Sequence, residues 1–300
     1  MAFVEWVHVL VGRNIWQFRN FRYLVERAFS APNCRGVITW CEPAKRAIIE
    51  NLDSKSFRHK IHVVPLAVRP KDFVKEYHDE KVNLLFVGSV NTPYPGYDFL
   101  DKSGIEMLEA FGRLTREFDF VNLTIRANVP MEIRYKYRNL PNLRIINRFI
   151  SKEELASEYM SADILLQPNH ITPFGAFLEG MSYELPVVTR DASLNSEIVK
   201  DGLDGFVVPG GERINYFWDG NGFRDIPIGV TPKAWEFQKA LRRVDPVFVD
   251  NLSERIRFLV ENPGARRRMG RYGRSEVERG TFSIANRNIK LKKIFDEALN

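Results

Sequence analysis

Residues 163–188 read DILLQPNHITPFGAFLEGMSYELPVV, and this stretch decides the fold class. Two short apolar runs, at residues 163–166 and 185–188, flank a loop and a segment of helical spacing that carries Glu179. Continuous apolar runs of this length are typical of strands that are buried on both faces. A strand, a glycine-containing loop, a helix and a second strand together predict a βαβ unit of a parallel sheet.

The same alternation extends outward over most of the chain. Further strand-like runs occur at residues 83–88, 122–126, 143–146 and 205–208, and segments of helical spacing separate them. One of these helices is predicted by the apolar face of Ile105, Leu108, Phe111 and Leu114. Another is predicted to begin with a capping box that Ser151 and Glu154 form. The pattern predicts a doubly wound α/β sheet.

The first 75 residues carry a shorter version of this pattern. Its strand-like runs are residues 4–10, 36–40 and 62–68, which are few for a complete parallel sheet. Pro65, Pro70 and the charged stretch 71–81 indicate a linker. We therefore predict an incomplete domain over residues 1–75 and a complete one over residues 76–300, the latter with an irregular insertion at about 210–246 and a terminal helix.

Composition excludes several classes of protein. A hydrophobic content of 44% in 300 residues supports a sizeable core and argues against disorder. No apolar run approaches the roughly 18 residues of a membrane span, and the start of the sequence lacks the features of a signal peptide. Cys34 and Cys41 match neither a zinc pattern nor a redox pair, so we expect a cytoplasmic setting. The net charge of +6 favours anionic partners.

The common catalytic motifs are absent from the sequence. It contains no GxSxG, no Walker loop, no GxGxxG, no HExxH and no paired-aspartate DxD motif. We therefore expect neither a metal site nor a nicotinamide cofactor.

The loop before Glu179 has the features of an anion site. Gly175 would expose backbone amides, and the N-terminus of the helix that follows offers partial positive charge to a phosphate. Ligands of open parallel sheets bind at the carboxyl ends of the strands, where this loop lies. Glu179 could then accept hydrogen bonds from a ribose. On physics alone an ordinary loop glycine and a solvated glutamate explain the pattern equally well.

The order of motifs resembles the C-terminal domain of family 4 glycosyltransferases, which are retaining, nucleotide-sugar-dependent enzymes of the GT-B fold. The motifs that carry the resemblance are residues 86–89, 102–104, 109–111, 151–155, 162–168, 174–175, 178–181, 185–188, 196–199 and 205–208. The resemblance implies an α/β, GT-B-like architecture of two Rossmann-type parallel-sheet domains, of which the N-terminal one is incomplete. Its opening strand and glycine-rich loop have no counterpart in the sequence.

The resemblance also implies a function. A retaining hexosyltransferase of this kind moves a sugar from a nucleotide diphosphate-sugar donor to a hydroxyl of a glycan, polysaccharide or lipid-linked acceptor, with no cofactor besides the donor. Lys102 falls at the lysine that contacts the diphosphate and Glu179 at the ribose carboxylate. His8 falls at a histidine near the transferred sugar. The remaining donor-binding positions that the resemblance implies are Gly88, Ser89, Pro173, Phe174 and Gly175.

Three positions depart from the family pattern. Ser89 stands where the family usually has a phosphate-binding arginine, Ile171 where it has an earlier glutamate, and Arg148 replaces a glycine. Arg126 or Arg148 could supply the missing cation. These departures also favour an alternative function, a catalytically degenerate GT-B protein that binds a nucleotide or a partner without turnover.

Several residues have a structural interpretation beside the functional one. Lys102 could be an ordinary exposed lysine and His8 a structural histidine. The arginine-rich run 266–274 is expected to be a solvated helix face rather than a nucleic-acid site. The aromatic and basic residues 16–23 could contact the inner face of an anionic membrane peripherally, or cover part of the core.

Overall fold

A computed structural model describes residues 15–78, 80–90, 97–170, 172–192, 194–210 and 239–299. The predicted strand at residues 4–10, His8, Ile171 and most of the predicted insertion lie outside these ranges. None of the helices in the described ranges is long and apolar enough to cross a bilayer.

A small unit precedes the main sheet. Its elements are helix α1 (Ile15–Ser30), strand β1 (Val37–Thr39), helix α2 (Glu42–Asn51), a 3-10 turn (Arg58–Lys60) and strand β2 (Ile61–Val63). The two strands pair in parallel, and the core around them contains Phe29, Val37, Ile48, Phe57 and Ile61.

The strand predicted at residues 62–68 ends earlier than expected, at Val63. Pro65 and Pro70 lack the backbone N–H that a continuing strand would donate. Residues 64–78 therefore have no regular secondary structure and run on as the linker segment, the name used for them below.

The main unit alternates strands and helices, as the sequence predicts. Its elements are β3 (Val82–Val87), α3 (Tyr97–Asp101), α4 (Gly104–Leu114), β4 (Val121–Arg126), α5 (Met131–Lys136), β5 (Leu143–Ile146), α6 (Lys152–Ser161), β6 (Ile164–Gln167), α7 (Phe174–Ser182), β7 (Val187–Arg190), α8 (Asn195–Ile198), β8 (Gly205–Val208), α9 (Pro246–Glu261), α10 (Pro263–Glu278) and α11 (Ile284–Leu299). The capping box of Ser151 and Glu154 is present at the start of α6.

The strands β3 to β8 form one parallel sheet in the order β5-β4-β3-β6-β7-β8. Helices cover both faces, since one core cluster packs α4 and α9 on one side and another packs α7 and α10 on the other. The chain moves outward from β3 through β4 to β5 and then returns to place β6 on the other side of β3. The direction of winding therefore reverses between β3 and β6, and ligands of open parallel sheets bind outside the carboxyl ends of the strands at such a reversal.

The arginine run on α10 is partly buried rather than a solvated face. Arg266 is buried and donates a hydrogen bond to the Leu259 carbonyl at the end of α9, 2.7 Å away. Arg274 is also largely covered and donates to the carbonyls of Lys71 and Phe73 in the linker segment, at 2.9 and 3.0 Å. The expectation of a solvated face is thus wrong for these two residues, because they bind main-chain carbonyls of neighbouring segments.

Candidate functional site

The end of β3 lies beside the reversal point and carries Gly88 and Ser89. The Gly88 N–H donates to the Arg126 carbonyl at 2.7 Å. A Cβ on Gly88 would lie only 2.8 Å from Asp98 Oδ2, so the glycine admits this carboxylate. The Ser89 N–H donates to the same oxygen of Asp98 at 2.6 Å. The backbone amide of Ser89 is therefore engaged by an acidic side chain.

Lys102 points back to the same edge of the sheet. Its Nζ lies 3.3 Å from Asp98 Oδ2, one helical turn earlier in the chain, and also 3.3 Å from the Val87 carbonyl. The side chain is 13% exposed, which excludes the interpretation of Lys102 as an ordinary exposed lysine. A partly covered ammonium at the carboxyl end of β3 is well placed for an anion, with Asp98 as its present counter-ion.

Arg126 supplies a second cation at this edge. It ends β4, the neighbour of β3, and its Nη1 donates to the Gly88 carbonyl at 2.8 Å. Arg148, the other cation considered from the sequence, precedes α6 and pairs with Glu154 of its first turn at 2.7 Å. Of the two arginines, Arg126 is the one that lies beside Gly88.

The segment with Phe174 and Gly175 is helical rather than a loop. Helix α7 begins at Phe174 with Pro173 as its N-cap, so both residues belong to the first turn. The sequence placed them in the loop because glycine and proline usually indicate one, whereas proline is also tolerated at a helix start. A Cβ added to Gly175 would meet no atom within 4 Å, so the main chain is open to approach there. Phe174 packs edge-on against Trp40 of the small unit, with ring centroids 5.8 Å apart.

Glu179 lies on the second turn of α7 and is paired with a residue that the sequence placed in the linker. Its Oε1 is 2.7 Å from the Nζ of Lys71, and each side chain is about one third exposed (32% and 34%). Burial lowers the pKa of the Lys71 ammonium, but the hydrogen bond and the charge of Glu179 outweigh it and raise that pKa overall. The predicted ribose carboxylate is thus held by a protonated lysine.

A buried polar layer connects β3, β6 and the loop after β6. Gln167 Nε2 donates to the Val87 carbonyl at 2.8 Å, beside Lys102 Nζ. The His170 N–H donates to the Asp101 carbonyl at 3.0 Å and so ties the loop before α7 to the residue next to Lys102. Burial, with the nearby charge of Asp98, raises the pKa of Asp101 to about 7. Burial and the charge of Arg190 lower the pKa of His170 to about 3, so its imidazole is neutral at physiological pH.

These contacts bring most of the predicted site residues to one edge of the sheet. Gly88, Ser89 and Lys102 meet there directly, and the Asp101–His170 contact joins them to the loop that leads into α7. His8 and Ile171 lie outside the described residues.

Three residues of the site were missed or left without a role by sequence reasoning. Asp98 had a detectable signal, since it precedes Lys102 by one helical turn. Lys71 and Gln167 had none, because their partners are distant in the sequence.

Two open grooves elsewhere on the described surface are not lined by Lys102, Gln167 or Glu179. One of about 420 Å³ lies at the amino-terminal ends of β3 to β5 and is lined by Lys81, Asn83 and Asn122 among others. Another, of about 540 Å³, lies between β5 and α6. The first groove lies at the opposite edge of the sheet from the candidate site. The second adjoins the end of the outermost strand, β5, rather than the β3–β6 reversal, where parallel sheets bind ligands.

Part of the main unit matches a known protein family. Residues 81–218 match the family described as Glycosyl transferases group 1, and this match includes Gly88, Lys102 and Glu179. No curated protein sequence matches the chain.

Solved glycosyltransferase structures share its fold at low identity. A TarM variant from S. aureus, in complex with Fondaparinux, alpha-GlcNAc-glycerol and UDP, has a TM-score of 0.61 at 13% identity, over 93% of this chain and 46% of that one. The sucrose-phosphate synthase of Thermosynechococcus elongatus has a TM-score of 0.60 at 16% identity, over 93% of this chain and 62% of that one. WaaG, a glycosyltransferase involved in lipopolysaccharide biosynthesis, has a TM-score of 0.58 at 14% identity, over 92% of this chain and 69% of that one.

The α/β fold with parallel sheets thus matches that of GT-B glycosyltransferases. The chain spans about half the length of TarM and less than two thirds of the sucrose-phosphate synthase.

Proposed function

We propose that this chain is a retaining glycosyltransferase that moves a hexose from a nucleotide diphosphate-sugar to an acceptor hydroxyl. The observation that carries the proposal is the pair of cations, Lys102 and Arg126, beside the β3–β6 reversal of a sheet that matches Glycosyl transferases group 1. Positive charge at this edge suits a leaving diphosphate, because negative charge grows on the phosphate as the glycosidic bond breaks.

Each residue would act on a stated part of the donor. Lys102 would exchange its contact with Asp98 for one with a phosphate oxygen, and Arg126 would replace the guanidinium missing at Ser89. The amides of the first turn of α7, with Gly175 open to approach, would donate to the diphosphate. Glu179 would accept hydrogen bonds from the ribose.

The reaction needs no protein base at the acceptor. The bond from the anomeric carbon to the leaving phosphate oxygen breaks, and a new bond to the acceptor oxygen forms on the same face of the sugar. The acceptor proton passes to the leaving phosphate. The protein residues bind, orient and stabilise charge in the oxocarbenium-like transition state.

Calorimetric titration with UDP, GDP and ADP tests the donor site. We expect one nucleotide to bind preferentially and Lys102→Ala or Glu179→Ala to weaken it at least tenfold, because a hydrogen bond to a charged group contributes about 1.5–3 kcal/mol. Arg148→Ala is the matched control, since Arg148 pairs with Glu154 and should leave the affinity unchanged. Absence of binding by all three nucleotides would refute the assignment.

Acceptor-dependent release of the nucleoside diphosphate then tests transfer. NMR of the product should show the anomeric configuration of the donor. Release that requires no acceptor, or an inverted product, would contradict the proposed reaction.

A second candidate is a nucleotide-binding or partner-binding protein without turnover. It is favoured by Ser89, which stands where the resemblance has a phosphate-binding arginine, and by the hydrogen bond that already engages the Ser89 amide with Asp98. Nucleotide binding without transfer from any sugar donor would favour this candidate.

We propose that the acceptor is a glycan, polysaccharide or lipid-linked sugar on the cytoplasmic side of a membrane. Support comes from the alpha-GlcNAc-glycerol bound to TarM and from the involvement of WaaG in lipopolysaccharide biosynthesis. Helix α1 also exposes Tyr23 and Leu24 next to Arg22, a combination suited to an anionic lipid surface. Co-sedimentation with anionic but not neutral vesicles is expected, and equal recovery with both would refute the membrane contact.

A further inference from the structure

The linker segment is fastened to the main unit at Lys71 and at two residues that follow it, Phe73 and Lys75. The buried ammonium of Lys75 donates to the carbonyls of Met160, at 2.8 Å, and Ala162 at the end of α6. Arg274 of α10 donates to the carbonyl of Lys71 itself and to that of Phe73. The main chain of Lys71 is therefore held in place relative to α7.

The side chain of Lys71 is also directed by its surroundings. Its Nζ lies over the ring of Tyr183, 5.3 Å from the centroid, and 2.7 Å from Glu179 Oε1. Tyr183 stacks on Tyr159 with ring planes 8° apart and contacts Phe73, with centroids separated by 5.1 and 5.3 Å. The aromatic rings thus form a fixed platform that directs the ammonium to Glu179.

The ion pair remains accessible to solvent, with about one third of each side chain exposed. Ion pairs with this exposure contribute little to folding stability. A pair that is rigidly supported but only weakly stabilising is more readily explained by what it does to a ligand than by what it does to the fold.

We infer that Lys71 is a positioning residue of the donor site, which holds Oε1 of Glu179 so that the second carboxylate oxygen accepts the ribose hydroxyls of the nucleotide. The inference rests on the proposed function. A free glutamate side chain has several rotamers and loses that freedom when a ligand fixes it. Lys71 fixes the carboxylate in advance, so the linker segment becomes part of ribose recognition.

The experiment measures how strongly the protein distinguishes a ribose from a sugar without hydroxyls. UDP, GDP and ADP, each paired with its 2′,3′-dideoxy form, are titrated calorimetrically into the unaltered chain, Lys71→Met, Lys71→Arg and Glu179→Ala. We expect the unaltered chain to prefer the ribose form at least tenfold and Glu179→Ala to lose that preference. Lys71→Met should reduce the preference about fivefold while the affinity for the dideoxy form changes less than twofold, and Lys71→Arg should restore most of it.

Controls separate this role from folding and from the proposed function. Lys55→Met removes an exposed lysine of the small unit and should leave the preference unchanged. A ribose preference in Lys71→Met equal to that of the unaltered chain, or tighter ribonucleotide binding in that variant, would overturn the inference and leave the donor site standing. Failure of the unaltered chain to bind any nucleotide would overturn both.

If Lys71→Met unfolds below the temperature of the titration, Lys71→Gln replaces it. This variant keeps a donor but removes the charge, and the same reduction in ribose preference is expected. An unreduced preference in Lys71→Gln would overturn the inference.

Discussion

Removing the Glu106 carboxylate is expected to destabilise the main unit strongly. Glu106 Oε1 accepts a hydrogen bond from Arg190 Nη2 at 3.0 Å, and each side chain is only 4% exposed. Arg190 Nη1 also lies 3.7 Å from Asp245 Oδ2, and its guanidinium lies 3.6 Å from the ring centroid of Phe248. This buried cluster joins α4, the end of β7 and the start of α9.

The magnitude follows from the charge that is left behind. Breaking one partner of a buried ion pair costs about 3–5 kcal/mol, because the remaining charge has lost both water and its counter-ion. In Glu106→Leu, Asp245 still lies near Arg190, so we expect the lower end, about 3 kcal/mol. For chains of roughly this size that corresponds to a fall in Tm of about 6–12 °C. Adding Arg190→Met removes the guanidinium that Glu106 balanced and should recover part of the loss, because Asp245 then loses its own contact with Arg190.

Urea unfolding and differential scanning calorimetry measure these effects. The matched control is the pair Glu117 and Arg257, which also links the region after α4 to α9 at 2.7 Å but is 43% and 32% exposed. Glu117→Leu should leave the free energy of unfolding nearly unchanged, because exposed ion pairs contribute little to stability. The reasoning is refuted if Glu106→Leu costs no more than that control, or if the double variant is less stable than Glu106→Leu alone.

Three further outcomes are expected from single substitutions. Ser103→Gly should raise the free energy of unfolding by about 1 kcal/mol, because Ser103 has a left-handed φ of 53° and a buried hydroxyl without a partner; an unchanged urea midpoint would contradict this. Gly175→Ala should leave the stability unchanged but lower the nucleotide affinity, measured by calorimetry, several-fold. Gly270→Ala should instead lower the thermal midpoint of unfolding, because the added Cβ would lie 2.0 Å from the Glu184 carbonyl oxygen. Equal thermal midpoints for Gly175→Ala and Gly270→Ala would contradict the close packing at Gly270. Burial raises the pKa of Asp204 to about 7, so the folded state keeps a proton that the unfolded state has lost and stability falls as pH rises from about 4 to 7. The free energy of unfolding should therefore fall with a slope on the order of 1 kcal/mol per pH unit, and Asp204→Asn should remove this slope. Identical pH profiles of unfolding for the variant and the unaltered chain would exclude Asp204 as the cause.

The strands and helices of the main unit follow from local sequence. Runs such as residues 83–88 and 122–126 coincide with β3 and β4 to within a residue, and the capping box places the start of α6 correctly. Local patterns suffice here because burial on both faces requires continuous apolar strands. The predicted bounds are wrong at the end of β2 and at the start of α7, where proline or glycine was misinterpreted, and the strand predicted at 185–188 begins two residues later, at Val187.

The candidate site could be predicted only in part. Lys102 and Glu179 stand out because their motifs keep a recognisable order along the chain. Among their partners, Asp98 is one helical turn from Lys102 and so had a local signal, whereas Val87 and Lys71 reach them only after the strands and the linker segment have packed. Long-range contacts of this kind leave no periodic signal in the sequence.

The sequence by itself therefore determined a parallel α/β sheet, its order of elements and the residue types that could meet a phosphate. The tertiary structure alone decided that β6 returns to the far side of β3, which brings Lys102, Gln167 and the loop before α7 to one edge. It also decided that Lys71 faces Glu179 and that Arg190 is buried against Glu106. The physical reason is that apolar periodicity specifies which face of each element is buried, whereas the position of one element beside another depends on packing between residues that are distant in the chain.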